Sequence, residues 1–164
     1  MQITEPVTML TDYALGVANI YFAAALAQTI GSHNRVSAWL WCAAFVGAAI
    51  AALAGGTFHG FSLQLSASTF KRLWNVTVFS SGISLGLMAG GVHASYIEKE
   101  DGSLKWLISG ILLTLAGLII QSSGFRRRED FNHNDIFHVT QIGASYLLFR
   151  FACLLRDRFT LPPH

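Results

Sequence analysis

At 164 residues the chain has the length of one domain, and 52% of it is hydrophobic while only 12% is charged, about half the charge of an ordinary soluble domain. No Lys, Arg, Asp or Glu occurs between Arg35 and Lys71, nor between Arg72 and Glu98, which excludes soluble helices with a charged face there. The formal charge of +2 is too small to point to nucleic acid, and the chain reads as an all-α, multi-pass integral membrane protein.

A helix needs about 20 apolar residues to cross the hydrocarbon core, and five segments meet that length. The first, Asp12–Ile30, gathers Asp12, Gly16, Asn19, Ala23 and Ala27 on one polar or small face. The first basic residue is Arg35, so the positive n-region of a secretory signal is missing and this span is expected to be retained. The second, Val36–His59, is glycine- and alanine-rich and ends on His59. Phe61, Leu63, Leu65 and Phe70 then suggest that Gly60–Phe70 is a loop lying on the membrane surface. The third, Leu73–Tyr96, carries Gly82, Gly86, Gly90 and Gly91, which favour close packing against the second, and ends near His93. The fourth is Leu104–Gln121. The fifth, His133–Leu155, places Asn134, His138, Gln141 and Ser145 on one polar stripe, with Asp135 about 60° away. Trp39, Trp41, Trp74 and Trp106 fall near span ends as an aromatic belt. Cys42 and Cys153 lie inside apolar runs and read as packing residues.

An odd number of crossings folds distant residues together. One face of the five-helix bundle collects Asp12, His59, His133, Asp135 and His138, whereas His93 and Lys99 belong to the other. Ionisable groups at membrane depth are costly unless paired, so this cluster is the candidate site. Imidazole and carboxylate are the usual ligands of zinc. On that reading His59, His138 and either Asp135 or His133 would be ligands, and Asp12 or Asp135 a general base. A hydrogen-bonded His/Asp network that only fixes helix register explains the same residues. A third reading is a non-enzymatic subunit of a larger membrane complex, with His59, His93 or His138 as axial ligand to haem or a chlorophyll-type pigment. A transport path along Asn19, Asn75, Ser80, Ser81, Ser84 and Gln141 is opposed by the lack of an inverted repeat. Membrane lipid and neighbouring membrane subunits are the expected partners.

The stretch Asn134-Asp135-Ile136-Phe137-His138-Val139, with Gly56-Thr57-Phe58-His59, resembles motifs of the membrane hydrolase superfamily of alkaline ceramidases, progestin/adiponectin receptors and haemolysin-III proteins. The resemblance implies a zinc held by histidines and hydrolysis of lipid amides. It covers roughly a tenth of the chain. Asn134 stands where the family has the first histidine of its last-helix pair, Gly55 where it has a serine, and five helices are expected here rather than seven.

Overall fold

Each apolar run forms a helix, with ends that differ from the expected spans by up to six residues. The computed structural model describes residues 2–97, 102–124, 126–128 and 131–158, so Lys99 lies outside the described residues. The helices are α1 (Pro6–Ala27), α2 (Arg35–Phe61), α3 (Ala67–Ala94), α4 (Ser103–Ser122) and α5 (His133–Ala152). Two short antiparallel strand pairs join them: β1 (Ser95–Tyr96) with β4 (Arg156–Asp157), and β2 (Arg126–Arg128) with β3 (Phe131–Asn132). Helices α1 to α4 are long and apolar enough to cross a membrane. The fifth carries His133, Asp135, His138 and Arg150 and is not among those four.

Helix α1 starts at Pro6 rather than Asp12, because proline at the first position lacks only an amide that would be orphaned anyway. Helix α3 starts at Ala67, where the Ser66 hydroxyl accepts from the Thr69 amide. The expected surface loop therefore shrinks to Ser62–Ser66. Leu63 in it is exposed, while the Phe58 ring lies 4.2 Å from Phe70 and 5.4 Å from Trp74, centroid to centroid.

Packing runs in the order α3, α2, α1, α5, α4, with α1 in the centre and parallel to α5. The apolar core fills the C-terminal end of these two helices and the start of α2. There Phe22 stacks on Phe149 at 5.0 Å, and Trp41 meets Phe151 edge-on at 5.6 Å. Aromatic pairs of this kind add about 1 kcal/mol beyond their burial. The close approach of α3 to α2 depends on Gly91, where an added Cβ would lie 2.6 Å from the Trp41 ring. Gly82 and Gly86 face outward with nothing within 4 Å.

A long-range cap closes the core end. Asn34 precedes α2, but its side chain accepts from Gly31 N and donates to Thr29 O, which closes the α1–α2 turn. The first amides of α2 are instead met by Asp157. Its Oδ2 accepts from Val36 N at 2.7 Å, and its Oδ1 accepts from Ser37 N at 2.8 Å and Ser37 Oγ at 2.6 Å. Burial works against the Asp157 charge. The hydrogen bonds from Ser37 and Val36, with His33 nearby, outweigh it and hold the carboxyl below its ordinary range.

Two predictions follow from these contacts. Gly91→Ala should destabilise the protein by roughly 1–3 kcal/mol through overpacking, while Gly82→Ala should be neutral or slightly stabilising. Unfolding midpoints of the two purified variants check the contrast, and equal midpoints would refute the packing argument. Asp157→Ala should cost roughly 1–2 kcal/mol. Because the folded carboxyl titrates below its ordinary value, the wild-type advantage is complete above about pH 4. It should shrink as pH falls through the lowered folded value, as a series of thermal melts would register.

Candidate functional site

The polar end of the bundle is assembled by the first turns of α1 and α5 and the last turn of α2. Asn132 caps α5: its side chain accepts from Asn134 N, and Asp135 Oδ2 accepts from Asn132 N at 2.7 Å, completing a capping box. The other oxygen, Asp135 Oδ1, accepts from Thr8 Oγ1 of α1 at 2.7 Å. Asp135 is fully buried with a donor on each oxygen. It is an anchor that starts α5 and ties it to α1.

One turn along, His138 faces the same α1 surface. Its Nε2 lies 3.2 Å from Asp12 Oδ1 and its Nδ1 lies 3.2 Å from Thr11 Oγ1. Both His138 and Asp12 are buried. The second oxygen, Asp12 Oδ2, is buried without a hydrogen-bond partner among the described residues, and a Cβ on Gly55 would sit 3.3 Å from it. A buried carboxylate oxygen without a donor is costly in a folded protein and marks the place for a ligand, a proton or water. Both Asp135 and Glu5 lie close enough to Asp12 for their charges to act on it.

His59 arrives from the end of α2. Its Nδ1 is 3.2 Å from Glu5 Oε2. The backbone before α1 is fastened over this helix end, since Thr4 N donates to Gly60 O at 2.9 Å and Ser62 Oγ donates to Thr4 Oγ1 at 3.1 Å. The juxtaposition expected from five crossings is therefore present: His59, Asp12, Asp135 and His138 share one end of the bundle. His133 begins α5 there, with Nδ1 buried and without a partner among the described residues. His93 is exposed at the opposite end, beside a surface depression of about 510 Å³ that it lines with Tyr96 and Arg158. No three His, Cys, Asp or Glu side chains among the described residues converge as a ready-made metal cage.

Two other residues of the polar stripe turn to a different neighbour. Asn134 Oδ1 accepts from Gln121, and Gln141 donates to Thr114 O, so both face α4 rather than α1. Residues considered for a transport path bond to helix backbone instead: Asn19 to Leu15 O, Ser81 to Thr77 O and Ser84 to Ala44 O. The notch at Gly16, between Asp12 and Asn19, is filled by Leu53, whose side chain would stand 2.9 Å from a Cβ there.

Three contributors do not stand out in an apolar-span reading: Glu5, Thr8 and Thr11. Pro6 at a helix start was the available signal for the first, since it places the helix end, and Glu5 with it, beyond the apolar run. The Asn132-x-x-Asp135 spacing was the signal for the capping box.

This chain belongs to a family of unknown function (DUF6962), whose profile matches residues 7–92 and 75–157. The matched segments include Asp12, His59, Asp135 and His138. No curated protein and no solved structure matches the chain.

If Asp135 anchors α5, Asp135→Ala should destabilise the protein by roughly 2–4 kcal/mol, from the lost cap and the stranded Thr8 hydroxyl. Glu5→Gln, at a half-exposed ion pair, should change stability by less than about 1 kcal/mol. Comparable thermal shifts in the two variants would remove the anchoring role.

Proposed function

We propose that this is a five-helix membrane protein whose α1, α2 and α5 ends form a zinc-dependent, hydrolase-like site acting on the amide bond of a lipid. The observation that carries the reading is the buried Asp12–His138 contact, with one Asp12 oxygen left open beside Gly55.

The donor set suits zinc, which takes imidazole and carboxylate ligands. His138 and His59 would hold the ion through ring nitrogens, and His133 offers a further buried ring nitrogen at the same end. Zinc, when bound, would polarise the scissile carbonyl as a Lewis acid. Asp12 would accept a proton from the attacking water at Oδ2, the oxygen free of other donors among the described residues. Asp135 is assigned no chemical step, because one oxygen serves the α5 start and the other holds Thr8 of α1. Thr8 and Asp135 fix α5 against α1, so that His138 and Asp12 keep their separation. Lipid would approach sideways at this end, where His59 is the more exposed imidazole.

A second reading, an accessory subunit of a larger membrane complex, is favoured by the outer helices. Little of α3 and α4 is buried, and Phe79, Leu85 and Ile119 are exposed on them. A haem or chlorophyll-type pigment on His93 would belong to that reading.

Protein purified without chelators at neutral pH should hold about one zinc per chain, lost in either His59→Ala or His138→Ala. Elemental analysis checks this together with a visible spectrum. Zinc-free protein would overturn the hydrolase reading, and a visible absorption band would favour the second.

A further inference from the structure

We infer that Thr11 is a positioning residue that keeps the His138 proton on Nδ1 and so turns the Nε2 lone pair toward Asp12. Thr11 has a single hydroxyl proton, and Oγ1 sits 3.1 Å from Val7 O and 3.0 Å from Thr8 O, both acceptors only. With its proton given to these main-chain carbonyls, as is usual for a threonine inside a helix, Thr11 Oγ1 has only lone pairs left for His138. Nδ1, 3.2 Å away, must then be the donor.

The consequence falls on the other ring nitrogen. A neutral imidazole protonated on Nδ1 bears an acceptor at Nε2, and that atom lies 3.2 Å from Asp12 Oδ1, also an acceptor when ionised. Two facing lone pairs at that distance repel unless a cation lies with them. The Asp12–His138 contact is thus a seat for one positive charge, a metal ion or a proton. Ligand histidines are commonly oriented by a hydrogen bond from their second nitrogen. Here that bond goes to a hydroxyl of the central helix. Thr8 and Thr11 divide the work one turn apart: Thr8 donates to Asp135 and fixes α5, while Thr11 accepts from His138 and fixes its ring.

The inference rests on the zinc reading only for which atom would meet the metal, and its test does not require zinc. In metal-free, ¹⁵N-histidine-labelled protein in lipid bilayers, the His138 signal is assigned by its loss in His138→Gln. Its Nδ1 should be of the protonated type. Thr11→Ser should retain that signature, whereas Thr11→Val should lose it and weaken zinc binding by about 10- to 100-fold. An unprotonated Nδ1 in the wild type overturns the inference, as does a Thr11→Val signature identical to wild type. Should Thr11→Val not fold, Thr11→Ala is read in its place against the same two outcomes. A protonated Nδ1 in protein that takes up no zinc would end the hydrolase reading and leave this one standing. Bound zinc with an unprotonated Nδ1 would do the reverse.

Discussion

The parallel contact of α1 on α5 holds the molecule together, and it is made by two different kinds of chemistry. At one end the bond is polar: Thr8 on Asp135 and Asp12 on His138. At the other it is aromatic, with Phe22 stacked on Phe149. Helices α2 and α3 hang on one side of this pair and α4 on the other. The aromatic end supplies burial but little direction, since dispersion and apolar area tolerate small slides and rotations. The polar end supplies register. A shift of one residue in α5 would leave Asp135 buried without its Thr8 donor, at a cost of several kcal/mol for an unsatisfied buried charge.

That division explains why two carboxylates in one site have different characters. Asp135 meets a hydroxyl and a main-chain amide, one on each oxygen, and a carboxylate so supplied is a settled structural group. Asp12 meets one imidazole nitrogen and has an open oxygen. Residue type alone does not separate them, since both are buried aspartates at the same end of the bundle. The number of donors around each does. The carboxylate with a donor on each oxygen holds the frame, and the one with a donorless buried oxygen is the candidate for chemistry.

Much of this was legible in the sequence because membrane-like patterning is a strong signal. The five helical runs, the gathering of His59 and His138 at one end and the separation of His93 all follow from apolar run lengths and alternating direction. What was not legible depends on local backbone geometry or on long-range pairing. The start of α1 at Pro6 brings Thr8 and Thr11 into the helix, where an apolar-window reading sees only a polar leader. The role of Asp135 was open because the same residue serves as an N3 capping acid or as a ligand, and only coordinates tell which donors it meets. Asp157 capping α2 from the far end of the chain has no local signature. The reason it is needed, an Asn34 side chain turned back into its own loop, is equally invisible without the fold.

Gly55 connects the architecture to the chemistry. Helices α1 and α2 approach closely at this level, and Asp12 is buried against the backbone of α2 because position 55 has no side chain. A Cβ there would be 3.3 Å from Asp12 Oδ2, so a serine hydroxyl would have this oxygen within reach and would supply the donor it lacks. With glycine the oxygen keeps its lone pairs. The glycine in α2 and the unpartnered oxygen on α1 are therefore the same fact seen from two helices. Asp12 is left as the one carboxylate at this end with a buried oxygen that has no donor among the described residues, and any proton or cation entering the site meets it beside His138.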